Sequence, residues 1–212
     1  MDTERSDEEL LADFQAGDAR AFERLLRRHR GPLFTFLLRM LGDRQRAEDL
    51  TQEAFLRLVR AAASWQPRAK FQTWLYTVAR NLCVDQSRRD RFRRADSLDA
   101  QTPGSDGDGP PLVEAIASDG PLPDRAAESA RLRPVLERAL SGLPPEQREV
   151  FLLREQSGMP FKEISELLGI NENTVKSRMR YALEGLRKLL TAAGVTQETA
   201  DAGETMPRVG RA

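Results

Sequence analysis

The apolar residues of this chain recur mainly at spacings of three and four, which predicts amphipathic helices. In the N-terminal half the pattern predicts four helices, over about 7–16, 18–41, 46–63 and 71–94. Ser6 followed by Glu9 forms a capping-box pattern at the first helix. Gly31-Pro32 is predicted to kink or divide the second helix, because proline has no backbone N–H to donate.

The periodicity stops in a stretch that is rich in proline and glycine and in which acidic residues far outnumber basic ones. Such a stretch cannot bury enough apolar surface to fold alone, so it is predicted to be a flexible acidic linker. After the linker the helical pattern returns, and the chain closes with a polar stretch that is predicted to be disordered. The fold class is therefore all-α, with two small helical domains over 1–95 and 130–191. The linker between them covers 96–129, and the disordered tail covers 192–212.

Residues 161–190 predict a helix, a tight turn and a second helix. Gly169 is typical of a helix end, and Asn171 is a favourable N-cap for the second helix. The spacing predicts an inward face made of Val175, Met179, Leu183, Leu186 and Leu190. The start of the second helix is basic and polar, and a helix-turn-helix presents that part to the DNA major groove. The alternative is a solvated helical hairpin with ordinary surface charge.

The helix over 46–63 has an apolar stripe and a contrasting polar arc. The stripe is predicted to contain Leu50, Ala54, Leu58 and Ala61, widened by Phe55, Val59 and Ala62. The opposite arc contains Asp49, Gln52, Glu53, Leu56 and Arg60. An apolar anchor among polar groups is typical of a docking surface. A solvated face with a scattered leucine is the alternative.

A basic, aromatic loop over 64–70 precedes the helix over 71–94. The far side of this helix is predicted to carry Thr73, Tyr76, Arg80, Ser87 and Arg91, and its end is strongly basic. Cations for phosphates and rings for unstacked bases suit a nucleic-acid strand. Alternatively, Trp65 and Trp74 belong to the core and the arginines complement the helix C-terminus.

Composition narrows the function classes. The formal net charge is zero, but the charges are segregated along the chain, so the balance does not exclude nucleic acid. Cys83 is the only cysteine, so no internal disulfide can form and a reducing compartment fits. The acidic start lacks a signal-peptide pattern, and no apolar run reaches membrane-spanning length. We expect a soluble cytoplasmic protein without a membrane partner.

Catalytic patterns are weak. The chain has no Cys/His metal spacing and no phosphate-cradling glycine loop, so no cofactor and no metal are expected. His29 is predicted at the surface, and Cys83 is predicted to be a small buried hydrophobe. Glu48, Asp49 and Glu53 would suit a magnesium-dependent nuclease, but three acids on one charged helix are more often surface residues. We therefore do not expect an enzyme.

Three stretches resemble bacterial RNA polymerase sigma factors of the extracytoplasmic-function (ECF) group, in that family's order. They are AEDLTQEAFLRL, FQTWLYTVARNLCVDQSRR and residues 143–190. The resemblance implies a region-2-like domain, a region-4-like domain and a protein that binds core polymerase, recognises minus-ten and minus-thirty-five promoter elements and promotes melting. A free-standing helix-turn-helix regulator is the alternative.

The resemblance also implies partners and site residues. The residues that would bind core polymerase are Asp49, Gln52, Glu53, Phe55 and Leu56, although spacing also permits a core position for Phe55. Those for the minus-ten element are Trp65, Arg68, Lys70, Tyr76, Arg80, Asn81, Arg88 and Arg91. Those for the minus-thirty-five element are Thr174, Lys176, Ser177, Arg178 and Arg180. The implied partners are the largest-subunit coiled coil and the beta flap of polymerase, promoter DNA and an anti-sigma factor.

Overall fold

A computed structural model describes residues 5–63, 70–98 and 123–195, including their side chains except at 91–98 and 123–131. The N-terminal bundle contains α1 (Asp7–Gln15), α2 (Ala19–Leu41), α3 (Arg44–Ala62) and α4 (Phe71–Leu98). The C-terminal bundle contains α5 (Pro123–Ser141), α6 (Pro145–Phe151), a π-helical turn (Leu152–Gln156), α7 (Phe161–Leu168) and α8 (Glu172–Ala192). The predicted all-α class is confirmed.

Local signals at the helix ends have the predicted geometry. The Glu9 backbone N–H donates to Ser6 Oγ at 3.2 Å, and the Ser6 N–H donates to the Glu9 carboxylate at 2.7 Å. Gly169 ends α7 with a φ of 66°, which glycine adopts without a Cβ clash. Asn171 caps α8 by accepting from the Asn173 N–H at 2.8 Å. The capping box and the helix-turn-helix turn are therefore confirmed.

The predicted division of the second helix at Gly31-Pro32 is wrong, because α2 runs through both residues. Leu25 lies before the proline and Phe36 after it, and both side chains are fully buried. Burial of both halves in one core outweighs the single backbone hydrogen bond that proline removes. The Pro32 carbonyl oxygen accepts a 2.7 Å hydrogen bond from Gln156 of the C-terminal bundle.

His29 is buried, so its predicted surface position is also wrong. Its Nε2 lies 2.7 Å from Asp7 Oδ2, and its ring centroid lies 5.1 Å from that of Phe71. Burial alone would raise the pKa of Asp7, but hydrogen bonds and charge from His29 and Arg28 outweigh burial, so the net pKa lies below the ordinary value of 3.8. The ionised Asp7 therefore stabilises the fold at pH values above its unfolded pKa, and this stabilisation is lost as the pH falls through the lowered pKa.

The helices extend into the predicted linker at both ends, since α4 reaches Leu98 and α5 begins at Pro123. Proline is favourable in the first helical turn, and the Ala126-Ala127 pair that follows favours helix. The start of α5 was not predicted, because the proline-rich composition of the stretch around it is typical of a linker. The remainder of the linker, 99–122, and the tail from 196 lie outside the described residues.

One glycine within α8 lies close to the loop before α6. A Cβ built at Gly185 would lie 2.8 Å from a Leu143 methyl, so a side chain there would require the Leu143 side chain to shift. Glycine weakens a helix interior by about 1 kcal/mol, and this close approach is what it permits. None of the helices in the described ranges combines the length and apolar character needed to cross a membrane.

Candidate functional site

An exposed apolar pair lies on the outer face of α3. Leu56 is 50% exposed and Val59, three residues later, is 43% exposed. Asp49 and Gln52 are exposed and lie on the same side of the helix. This face has the apolar centre and polar surround that the sequence predicted for a docking surface.

The buried stripe of α3 differs from the prediction. Val59 was predicted to be in the stripe but is exposed, whereas Ala47 and Thr51 are buried, with Thr51 Oγ1 donating to the Ala47 carbonyl oxygen at 2.6 Å. Phe55 is only 6% exposed, so its side chain lies in the core and not on the docking face. Glu53 is partly buried and pairs with Arg57 at 2.9 Å. Val59 lies three residues after Leu56 and therefore on the same helix face, which was the sequence signal for the exposure of Val59.

The outer face of α4 contains polar residues in two different situations. Asn81 and Arg88 are exposed. Arg80 is partly buried, and its Nε donates to Glu149 Oε1 of α6 at 3.0 Å. Lys70, just before α4, lies with its Nζ 2.8 Å from Glu163 Oε1 of α7. Trp65 and Arg68, and the side chain of Arg91, lie outside the described residues.

Tyr76 was predicted on the DNA-facing side of α4 but is 1% exposed. Its ring meets Phe36 of α2 edge-on, with centroids 5.1 Å apart. The buried arc of α4 is wider than one stripe because both α2 and α3 pack against it. Burial raises the pKa of Tyr76 to about 12.

The start of α8 presents a polar surface beyond its buried stripe. Thr174, Lys176 and Arg180 are exposed, whereas Ser177 and Arg178 are partly exposed. Lys176 pairs with Glu172 one turn earlier at 2.7 Å, and the Arg180 guanidinium lies 5.0 Å from the Tyr181 ring centroid.

The predicted inward face of α8 needs one correction, because Leu183 is 50% exposed and Ala182 is buried in its place. At 100° per residue Leu183 lies about 80° from Val175, at the edge of the stripe. The partner helices cover the opposite edge, where Ala182 lies.

Comparison with known proteins identifies the family of this chain. The Sigma-70 region 2 profile matches residues 25–93, and the Sigma-70, region 4 profile matches residues 134–186. The chain is 35% identical to the ECF RNA polymerase sigma factor SigW of Bacillus subtilis, over 85% of this chain and 94% of SigW. It is 34% identical to the ECF RNA polymerase sigma factor SigM of Mycobacterium tuberculosis, over 88% of this chain and 86% of SigM. The chain belongs to the ECF group of RNA polymerase sigma factors.

A solved structure supports the fold of this sigma factor. The sigma factor RpoE of Bartonella quintana, in complex with the anti-sigma factor NepR, matches with a TM-score of 0.62 at 24% identity. The match covers 82% of this chain and 98% of that one. The region 2 match spans most of α2, all of α3 and most of α4, and the region 4 match spans the end of α5 through most of α8.

The two bundles of the sigma factor meet through polar contacts. Arg39 of α2 holds Glu137 of α5 through Nε at 3.0 Å and Nη2 at 2.8 Å. On α4, Thr73 Oγ1 donates to Glu163 at 2.6 Å and Gln72 donates to the Ser157 carbonyl oxygen at 2.9 Å. Interfaces of this polar kind between domains are typical of contacts that open.

Two further ion pairs between the bundles involve basic residues that were predicted to bind DNA. We call the pairs Arg80–Glu149 and Lys70–Glu163 the interdomain latch. Burial alone would raise the pKa of Glu163, but hydrogen bonds from Lys70 and Thr73 outweigh burial, so the net pKa lies below the ordinary value of 4.5. The Glu163 carboxylate is therefore ionised at neutral pH, and the contact weakens as the pH falls through that lowered pKa.

The residues considered for catalysis are occupied elsewhere. Glu48 pairs with Arg44 at 3.0 Å, and Glu53 pairs with Arg57. In the part of the chain that the structure describes, no group of three or more acidic, histidine or cysteine residues is arranged to hold a metal ion. Cys83 is buried, as predicted, and burial raises the pKa of its thiol to about 12. A thiol held protonated in this way is a poor nucleophile.

The buried hydroxyl of Tyr76 gives a first prediction. It has no hydrogen-bond partner among the residues that the structure describes, so Tyr76→Phe should raise the free energy of unfolding by about 1 kcal/mol. Promoter-dependent transcription should not change, because the hydroxyl cannot reach DNA from the core. Thermal unfolding and run-off transcription check the two parts, and a loss of transcripts without loss of stability would restore the DNA-facing role.

Proposed function

We propose that this ECF sigma factor acts by recruitment and melting and not by catalysis. Its α3 face docks on the coiled coil of the largest polymerase subunit, α4 contacts the minus-ten element and the start of α8 enters the minus-thirty-five major groove. The observation that carries the proposal is Leu56, an exposed leucine at the centre of a polar region-2 face. An exposed leucine with polar neighbours on the same helix face is typical of a docking surface.

For the domain organisation we propose a core-binding and minus-ten domain over 1–95, a linker over 96–129, a minus-thirty-five domain over 130–191 and a tail over 192–212. The polar character of the interface supports independent placement of the two domains on promoter DNA. The linker then sets how far apart the domains reach.

The start of α8 supports DNA binding through Thr174, Lys176 and Arg180, which face away from the buried stripe. We expect Lys176→Ala to weaken binding of a minus-thirty-five duplex by about fivefold, since one phosphate or base contact is lost. Electrophoretic mobility shift with holoenzyme checks this. Lys188→Ala removes the same charge three turns later, where Lys188 pairs with Glu184 at 2.9 Å, and should have little effect. Equal losses in the two variants would contradict entry of the α8 start into the groove.

On α4, the exposed residues Asn81 and Arg88 are the minus-ten contacts supported by this structure. Lys70 and Arg80 join them only when the interdomain latch opens, because each holds a carboxylate of the C-terminal bundle. We therefore propose that promoter binding requires separation of the two bundles. Because that opening costs free energy, we expect the free protein to bind DNA weakly.

The proposed partners are core polymerase, through its largest-subunit coiled coil and beta flap, promoter DNA and an anti-sigma factor. A binding partner of the last class is present in the solved complex of RpoE with the anti-sigma factor NepR. Action on polymerase and promoter DNA places the protein in the bacterial cytoplasm.

Run-off transcription with purified core polymerase tests the proposal. The template carries the DNA upstream of the protein's own gene, and transcripts are expected only when core and sigma factor are both present. If the free protein shifts this DNA tightly while no transcripts form and no core association is detected, the free-standing regulator replaces the sigma mechanism.

A further inference from the structure

Helix α1 contacts both helices that carry the proposed docking and minus-ten faces. Its last residue, Gln15, donates from Nε2 to the Ala62 carbonyl oxygen at the end of α3, at 2.7 Å. In its first turn, Glu8 accepts through Oε1 from the Phe71 N–H at the start of α4, at 2.8 Å. The Sigma-70 region 2 match begins at residue 25, so α1 lies outside it.

The two contacts satisfy backbone groups that a helix end leaves without intrahelical partners. Carbonyl groups at the end of α3 and N–H groups at the start of α4 need outside partners. A carboxylate at a helix N-terminus is also favoured by the helix dipole, so Glu8 suits the start of α4. The contacts are therefore directional links to defined points on α3 and α4, and they add to apolar packing.

The spacing along α1 matches this double role. Glu8 and Gln15 lie seven residues apart, so they share one helix face about two turns in length. Leu11 lies on the same face between them and is fully buried. This rigid segment therefore fixes the distance between its two contacts.

A second set of contacts holds the first turn of α1 in place. Asp7 accepts from His29 of α2, whose ring packs beside Phe71, and Phe71 is itself fully buried. Phe71 is thus held by Glu8 through its backbone and by His29 through its ring. The start of α4 is the point where α1, α2 and α4 converge.

We propose that α1 is a positioning element in promoter opening, in which Glu8 and Gln15 set the start of α4 relative to the end of α3. In the proposed function polymerase binds α3 and the DNA strand binds α4, so the relation between these helices determines how readily the strand leaves the duplex. This inference rests on the proposed function, because it assigns α1 a role in the same reaction.

The test uses the full chain in holoenzyme, with a Glu8→Ala/Gln15→Ala variant. Open-complex formation on a duplex promoter should fall by about tenfold, since small displacements of a positioned group have large rate effects. Affinity for core polymerase should stay within about twofold, because the α3 docking face is unchanged. On a template whose minus-ten region is already unpaired, transcription should approach that of wild type.

Two further variants separate positioning from stability. Glu9→Ala removes a neighbouring carboxylate and the α1 capping box without touching α3 or α4, and it should keep duplex-promoter activity. Glu8→Gln keeps an acceptor oxygen for the Phe71 N–H and should recover most of the loss. Circular dichroism melting confirms that each protein is folded at the assay temperature.

Several outcomes would overturn the inference. It fails if the double variant loses activity equally on duplex and unpaired templates, if core affinity falls in parallel, if Glu9→Ala has the same effect, or if no loss occurs. If wild-type protein itself gives no transcripts, the proposed function fails instead, so the two failures are distinguishable.

Discussion

A Gln52→Ala/Leu56→Ala variant should bind core polymerase about a hundredfold more weakly and lose run-off transcription, because it removes the centre of the α3 face. Leu56 is 50% exposed in the free protein, so truncating it removes little of the chain's own packing. A buried leucine anchor together with an amide contact is worth about 3 kcal/mol at an interface. Binding to the isolated coiled coil of the largest subunit measures the affinity directly.

Leu183→Ala is the matched control for that experiment. Leu183 is also 50% exposed but lies on α8, so its truncation removes similar apolar area away from α3. Coiled-coil affinity should be unchanged in this variant, and both proteins should melt near the wild-type temperature. Transcripts from the double variant at wild-type level would place docking on another surface. Val59→Ala should give an intermediate loss if the apolar pair acts together.

Opening the interdomain latch should increase promoter binding by the free protein. Glu149→Gln/Glu163→Gln keeps the shape of both side chains and removes the charges that hold Arg80 and Lys70. We expect about a thirtyfold rise in affinity for the promoter fragment, because charge-assisted contacts that favour the closed arrangement are weakened. Holoenzyme activity should change little, because the proposed function requires core polymerase to hold the two bundles on separate promoter elements in either protein. Fluorescence anisotropy with labelled promoter DNA measures the free-protein affinity.

Removing acidic charge strengthens DNA binding by any protein, so the control must match the charge. Glu155→Gln/Glu184→Gln removes two exposed carboxylates from the same bundle without touching α4. An equal rise in affinity in both double variants would contradict a specific latch. Small-angle scattering adds a direct test, because only the latch variant should become more extended. The extension of this variant should also change less on addition of salt than that of wild type, since salt screens the surface charge contacts that only wild type retains.

Features that depend on neighbours along the chain were predictable. The capping box at Ser6, the turn at Gly169 and the cap at Asn171 involve residues within one or two turns, so their signals survive folding unchanged. The exposed arc around Gln52 and Leu56 was also predictable, because helical periodicity alone separates it from the buried stripe.

Features that depend on what lies opposite a residue were decided by the tertiary structure. Tyr76 and His29 are buried because α2 packs beside the start of α4, and Pro32 stays helical because both halves of α2 belong to one core. The partners of Arg80 and Lys70 come from the C-terminal bundle. Periodicity determines which side of a helix a residue occupies, but only long-range packing determines which sides are covered, and by what.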